Sequence, residues 1–396
     1  MSQPIISIVI ATRNRASFCI KTIETILKIV SPDFEIIVQD NSDDDDLENY
    51  IKTKISDSRL IFNKSNQVLS FVGNFNMALS FANGYYVTVI GDDDGVNPKI
   101  IDVAKYAMQN KLESLGSAQS CEYYWPNVIE DHKNGCVLIP SFNCAISSYD
   151  PKKRLIPLLI SGIVNYIPFN FPRLYHGIIR RDLLDKIKNK NGDFLRGLSP
   201  DIYSSIALST IIKKHTLIDY PFIISGVCSE SGAAASVNSK HCGNLEDAPH
   251  FRGNNDYKWE PEIPKYYCVE TIWAETALKA VKDQGRSDLL KYFNIYFLVA
   301  QSIFKNPNIR KLIFEQCQIM LKSENKSIGI FKLKVFSILL ALNTRILINK
   351  IYQKITNKSE SRQYYPNVAD IGEATSKLES ELESNPLYMK YDFNIT

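Results

Sequence analysis

Several signatures are missing from this sequence, and each absence removes a class of protein. No run of about 18 uncharged apolar residues occurs, so no ordinary transmembrane helix is expected. No two of the eight cysteines stand in a C-x-x-C spacing, which argues against a zinc or dithiol motif. Thiols scattered through a chain of this size point instead to a reducing compartment. A Walker A loop and a Gly-x-Gly-x-x-Gly fingerprint are both absent, which disfavours a P-loop ATPase or an NAD enzyme. There is no Gly-x-Ser-x-Gly elbow for a Ser–His–Asp hydrolase. Internal repeats and low-complexity tracts are missing too. Met1–Pro4 leads straight into Ile5–Ile10, too short for a signal-peptide core and without a basic segment before it, and we read it as the first strand of a cytoplasmic protein.

What remains is ordinary globular composition: 396 residues, 45% hydrophobic and 22% charged, enough for two or three units. The 46 Lys+Arg and 43 Asp+Glu leave a net charge of +3, which gives no reason to expect a nucleic-acid binder. The balance is uneven along the chain. Residues 305–358 hold eleven basic residues and two acidic ones, a net of +9, whereas 359–396 hold three and seven, a net of −4.

The first hundred residues alternate strand-like and helix-like patterns. Ile5–Ile10, Glu35–Gln39, Arg59–Phe62 and Tyr85–Ile90 read as strands, with helices at 15–30, 71–82 and 98–110 between and after them. This alternation predicts a doubly wound α/β sheet, which binds ligands at the carboxyl ends of its strands. Further on we expect strands at 120–126, 136–139 and 174–179, helices at 151–162, 180–188 and 200–213, and an extended segment at 216–224. Residues 226–262 read as a long loop able to close over a ligand. From 265 the chain turns helical, with segments at 266–283, 287–304, 309–322 and 328–355, and a polar, acidic tail follows with a helix near 370–384.

The polar clusters fall at strand ends. Asp92-Asp93-Asp94 follows a buried apolar strand on a Gly-flanked turn; adjacent carboxylates repel, and a hard cation such as Mg²⁺ or Mn²⁺ would neutralise them. A solvated, helix-capping turn is the alternative. Asp43–Asp46 reads as such a helix start. Asp40 is placed either to accept from a base or ribose or to cap its turn. Arg13 and Arg15 are placed to meet a diphosphate or to form surface ion pairs. Asp201 opens a helix, as a capping residue or as a general base for an acceptor hydroxyl; His176 is placed either to line the same cleft or to fill a structural role.

Three segments then carry a resemblance. Pro4–Arg15 (Pro-Ile-Ile-Ser-Ile-Val-Ile-Ala-Thr-Arg-Asn-Arg), Val38-Gln-Asp-Asn-Ser42 and Val89-Ile-Gly-Asp-Asp-Asp94 with Pro98 resemble family 2 glycosyltransferases, over about residues 4–100. The patterns Pro200–Ser204 and Ser225–Gly232 look like those of bacterial O-antigen and capsule enzymes. The resemblance implies a GT-A fold, a Rossmann-like, doubly wound mixed sheet, here followed by a helical C-terminal region. It implies an inverting transfer from a nucleotide-diphosphate sugar, a UDP-sugar, to a saccharide or lipid-linked acceptor in surface polysaccharide synthesis. Carried over by position, Thr12, Arg13, Asn14, Asp40, Asn74, Asp92 and Asp93 lie at the donor. Asp92, Asp93 and Asp94 form the D-x-D-type site for Mn²⁺ or Mg²⁺, and Asp201 is the base. His176 and Glu230 are acceptor-side candidates. Members commonly read Asp-x-Asp-Asp, and Gly91 stands at the first of those positions.

On this reading residues 1–235 form the catalytic domain, with a nucleotide-sugar half to about 110 and an acceptor half after it. Residues 236–264 are a linker, 265–358 a basic helical region and 359–396 an acidic tail. Basic residues framing the apolar stretch Val335–Leu342 suit either the cytoplasmic face of an inner membrane or a core helix with a solvated rim. A nucleotidyltransferase and a non-catalytic sugar-nucleotide-binding module are the competing functions. A processive polymerase of the family is disfavoured, because no Gln-x-x-Arg-Trp motif is present.

Overall fold

A computed structural model describes residues 3–128, 132–230, 242–254, 256–323, 325–356 and 362–384. In chain order the first elements are β1 (Ile6–Thr12), α1 (Ala16–Leu27), β2 (Phe34–Asp40), α2 (Asp46–Lys54), β3 (Leu60–Lys64), α3 (Phe71–Phe81), β4 (Tyr86–Ile90) and β5 (Gly95–Val96). Next come α4 (Ile100–Gln109), β6 (Ser114–Ser117), β7 (Cys121–Tyr124), β8 (Cys136–Pro140), β9 (Ile146–Tyr149), α5 (Leu155–Ile160), β10 (Gly177–Arg180), α6 (Arg181–Asn191), α7 (Pro200–Ile211), β11 (His215–Ile218) and β12 (Ile223–Val227). The rest is β13 (Cys242–Asn244), β14 (Tyr266–Cys268), α8 (Val269–Asp283), α9 (Ile295–Lys305), α10 (Arg310–Ser323), α11 (Ile328–Thr356), β15 (Arg362–Pro366) and α12 (Ile371–Ser384).

The expected GT-A layout forms. One sheet runs β3-β2-β1-β4-β10-β6-β11-β9 and a second runs β15-β8-β7-β12-β5. Strands β3, β2, β1 and β4 are mutually parallel. β1 is apolar on both faces because both are covered. Ile6, Ile8 and Ile10 point into a core shared with α1, α2 and α4, whereas Val9 points into another shared with α3, α6 and α7. That two-residue alternation between two buried layers is why the strand reads as a continuous apolar run. The register then decides where the site falls. Thr12 lies opposite Asp40, so β1 and β2 end level, whereas β4 ends at Ile90 opposite Ile10, and the turn after it carries Asp92 up to Thr12.

The structure differs from the expectations in three places. The extended segment 216–224 is two strands in different sheets, β11 and β12, parted at Pro221, whose missing N–H cannot continue a ladder. The long loop at 226–262 contains β13, which pairs with β14, and short helical turns at 245–247 and 249–251; its stretch 231–241 lies outside the described residues. The acidic tail supplies a strand and a helix to the folded body. β15 pairs with β8, and α12 lays Ile371, Ala374, Leu378 and Leu382 into the α1-side core. Those four share one helix face at i, i+3, i+7 and i+11, a stripe that the surrounding Glu residues mask in a charge count. Residues 359–361 and 385–396 of this tail lie outside the described residues.

The helical region joins the same body. Ala274, Ala277, Leu278 and Val281 of α8 complete the core under α7, and α9, α10 and α11 enclose a smaller cluster around Tyr266, Val299, Cys317 and Val335. Among the described residues no helix is long and apolar enough to cross a membrane. All eight cysteines are free thiols. Ile371 is fully buried against Gly95 beside the acidic turn. Ile371→Ala should therefore cost about 2–5 kcal/mol, read as a lower urea midpoint with unchanged slope.

Candidate active site

The carboxyl ends of β1, β2 and β4 bring Thr12, Asp40 and the turn Gly91–Asp94 to one edge. All three aspartates are almost fully buried: Asp92 is 3% exposed, Asp93 4% and Asp94 1%. Three carboxylates this close need positive charge, and the chain supplies it. The Arg15 guanidinium bridges them, with Nη1 2.9 Å from Asp92 and Nη2 2.9 Å from Asp93. Nη2 also donates to Cys228 Sγ at 2.8 Å. Burial alone would lower the proton affinity of Arg15, but Asp92 and Asp93 outweigh it and hold the guanidinium firmly charged. Burial pushes Asp92 up to about 7 against the pull of Arg15. Burial and Asp94 together raise Asp93.

Arg15 is aimed by the turn before it. Asn14 takes a left-handed backbone with φ 56°, a conformation asparagine tolerates better than most residues. Its amide nitrogen donates to Asp43 at 2.8 Å, and its carbonyl accepts from the Asp43 backbone at 2.9 Å. Arg13 pairs with the same carboxylate at 2.8 Å. Asp43, expected only to favour a helix start, thus clamps the β1–α1 turn.

Asp94 is held differently. Its Oδ2 accepts from Gly91 N (2.6 Å), Tyr175 Oη (2.9 Å) and His176 Nε2 (2.6 Å), and its Oδ1 accepts from Gly226 N (2.6 Å). Burial works against its charge, but His176 and these amides outweigh it and hold the carboxyl below the usual range. The same geometry accounts for Gly91. A Cβ there would lie 2.7 Å from Tyr175 Oη and 3.0 Å from an oxygen of both Asp93 and Asp94. The space a side chain would occupy is already filled by Tyr175 and the inturned Asp94. Gly226 is as constrained, since its Cβ would come within 1.8 Å of the Asp93 carbonyl. Thr22 Oγ1 donates to the Asp92 and Asp94 carbonyls, and Trp125 Nε1 donates to that of Asp93, so the backbone of the turn is fixed as well.

The remaining expected residues sort clearly. Thr12 donates to Asp92 at 2.5 Å, and Asn74 donates to the Thr12 carbonyl at 3.0 Å. Asp40 accepts from the Ser42 amide and hydroxyl through Oδ1. Its Oδ2 and the Asn74 Oδ1 are buried with no hydrogen-bond partner among the described residues. Two such acceptors near one edge fit a polar ligand that donates to them. Asp201 sits in the first turn of α7, behind Pro200. Burial pushes its carboxyl up to about 6, with His176 and Arg173 opposing and Asp94 adding to the rise. His176 is bonded to Asp94, and its field reaches Asp201 as well. Glu230 is exposed, and its carboxyl makes no hydrogen bond or ion pair among the described residues. Sequence reasoning missed the roles of Tyr175, Cys228 and Gly226, none of which carries a local motif. Two open grooves, of about 730 and 1130 Å³, lie beside α3 and at the opposite, amino edge of the sheet, and neither is lined by the acidic turn.

The donor chemistry can be tested against a metal. Among the described residues no group of three or more His, Cys, Asp or Glu side chains is arranged to hold an ion. Both oxygens of Asp92 and of Asp94 already accept from protein donors. The residues fit a hard cation held by one or two carboxylates with phosphate oxygens completing its shell, not a cation caged by protein alone.

Comparison with known proteins agrees with this edge. Residues 7–124, which contain β1 to β7 and the acidic turn, match the model for glycosyl transferase family 2, so this part of the chain is a family 2 glycosyltransferase domain. The chain is 34% identical over 116 residues to the uncharacterized glycosyltransferase MJ1057 of Methanocaldococcus jannaschii, covering 28% of this chain and 40% of that one. It is 37% identical over 90 residues to the Escherichia coli UDP-Glc:alpha-D-GlcNAc-diphosphoundecaprenol beta-1,3-glucosyltransferase WfaP, covering 23% of this chain and 36% of that one. The matches thus span well under half the length of these curated relatives. Among solved structures it is similar to S. aureus TarS 1–349 in complex with UDP, with 13% identity and a TM-score of 0.43, over 85% of this chain and 91% of that one.

Arg15→Gln would strand two buried carboxylates. It should cost about 3–5 kcal/mol of stability in urea unfolding, with part recovered in Arg15→Lys. Asp201 gives a second check through pH. Its folded pKa stands above the ordinary value, so the native state keeps a proton that the unfolded chain releases between about pH 4 and 6. Asp201 therefore weakens the fold progressively across that window. The stability gained by Asp201→Asn should grow from pH 4 to 6 and level off above, measured by denaturant titrations at each pH.

Proposed function

We propose that the chain is an inverting glycosyltransferase. It moves a sugar from a nucleotide-diphosphate donor, a UDP-sugar, to a hydroxyl of a saccharide or lipid-linked saccharide in the synthesis of bacterial surface polysaccharide. The observation that carries this reading is the shared edge: Thr12, Asp40 and Asp92–Asp94 gather at one end of the central strands, with His176 bonded to Asp94. The family 2 match over the same edge supports it. So does the UDP-Glc donor and diphosphoundecaprenol acceptor in the name of the E. coli relative.

Each residue has a part in this reading. The unpaired oxygens of Asp40 and Asn74 receive donors of the base and ribose, with Thr12, Arg13 and Asn14 around them. Asp93 would hold a Mg²⁺ or Mn²⁺ ion together with the donor's phosphates, Asp92 joining it where its bonds to Thr12 and Arg15 give way, while Asp94 stays with His176 and the turn amides. Such an ion offsets charge on a diphosphate leaving group when bound. Asp201, ionised at neutral pH yet more basic than an ordinary aspartate, takes the proton from the acceptor hydroxyl. The acceptor oxygen attacks the anomeric carbon as its bond to the diphosphate breaks, and the nucleoside diphosphate departs from the opposite face. His176 positions both carboxylates, and Glu230 lies on the acceptor side. Residues 1–235 act as the catalytic unit, with donor and acceptor halves meeting near 110.

The test is a screen of nucleotide sugars for nucleoside diphosphate release, with and without Mn²⁺. Turnover from a UDP-sugar is expected. Asp201→Asn should lower transfer by about 10²–10⁴-fold with donor affinity largely kept. Near-normal turnover in that variant would remove Asp201 as the base, and release from no donor would favour a sugar-nucleotide-binding module.

A further inference from the structure

The basic helical region plays no part in the catalytic reading, and α11 has two unlike faces. Its inner face packs Phe331, Val335, Ile338 and Leu342 into the cluster with α9 and α10. Its outer face should be polar, yet Ile330, Leu333, Leu340 and Ile348 are 60%, 72%, 70% and 58% exposed. At 100° per residue these four fall within about 80° of one another, with Ser337, Ala341 and Thr344 among them. They form one stripe about 27 Å long. Ile319, 62% exposed, stands on the neighbouring α10.

Charge borders this stripe. Lys334 and Arg345, both exposed, flank it along one side of α11. Lys311 and Lys322 are exposed on α10. Together α10 and α11 contain eight Lys or Arg and one acid, Glu315. A row of large exposed aliphatic side chains marks a contact surface. Its cationic border selects what makes the contact. Two copies pressed together through this face would bring like charges into register, whereas an anionic lipid surface meets both the apolar stripe and its border. The helix is not apolar enough to span a bilayer.

We propose that the outer face of α11, centred on Leu333 and Leu340, seats the protein on an anionic lipid bilayer. Ile330, Leu333, Leu340 and Ile348 enter the headgroup–acyl boundary, and Lys334 and Arg345 meet lipid phosphates. The inference stands apart from the catalytic reading, since none of these residues belongs to the acidic edge.

The test is co-sedimentation of the full chain with vesicles of phosphatidylcholine alone or mixed with phosphatidylglycerol. Wild type should bind the mixed vesicles, bind neutral ones weakly, and release as salt rises. Leu333→Glu with Leu340→Glu should weaken binding about tenfold or more, and Lys334→Gln with Arg345→Gln should weaken it to a similar degree. Leu333, Leu340 and Arg345 face solvent, and Lys334 adds only one long contact, to Tyr296 of α9, so thermal melts should stay within a few degrees of wild type, and any nucleoside diphosphate release from soluble donor should be unchanged. The proposal is overturned if wild type ignores anionic vesicles, or if Leu333→Glu with Leu340→Glu binds them as wild type does. It is equally overturned if light scattering finds a dimer that those substitutions split while vesicles stay unbound. The vesicle result reads the same whether or not a sugar donor is ever turned over.

Discussion

One guanidinium organises the catalytic edge. The Arg15 side chain lies between Asp92 and Asp93, and without it the acidic turn would hold three buried carboxylates beside the His176 imidazole. Its position depends on a short chain of causes. Asn14 adopts a left-handed backbone, Asp43 grips Asn14 and Arg13, and the resulting turn sends Arg15 back over the sheet edge. The acids in turn depend on Gly91 and Gly226, whose lack of side chains lets the Asp94 carboxylate fold inward and β12 approach the Asp93 carbonyl. Electrostatics and backbone sterics here enforce the same geometry.

This arrangement divides labour among three adjacent residues of one type. Asp94 is spent on structure, joining the turn, β12 and Tyr175-His176. Asp92 is tied to β1 through Thr12. Asp93 is held by Arg15 and the Cys228 amide. Asp201, apart from the turn, owes its raised proton affinity to burial, which His176 and Arg173 partly offset.

Much of the edge was legible because its strands are buried on both faces. Ile6–Ile10, Glu35–Gln39 and Tyr86–Ile90 are near-continuous apolar runs, and polar residues after them stand out. Other elements left weaker traces. β6 is Ser-Leu-Gly-Ser and β9 is Ile-Ser-Ser-Tyr; neither has the length or alternation that marks a strand, and both form because β11 lies between them as a template. The partnership of Arg15 with Asp92 and Asp93 spans about eighty residues and has no local signal; its residue type equally suits a diphosphate. The α12 stripe was hidden by glutamates on its other face. The outer face of α11 was hidden for another reason: its charges do not fall cleanly on one side of the wheel, and only packing separates the apolar half that is covered from the half that is not.

The pairing of β15 with β8 has a consequence for synthesis of the protein. The Tyr123 hydroxyl donates to the Val368 carbonyl, and Arg362 lies opposite Pro140, contacts that close loops of more than 200 residues. A ribosome releases the N-terminal strands long before it delivers these partners. Until residues 362–384 emerge, β8 has an open edge and α1 lacks its cover. The nascent catalytic layer is then an unfinished sheet, slow to close and open to pairing with other chains.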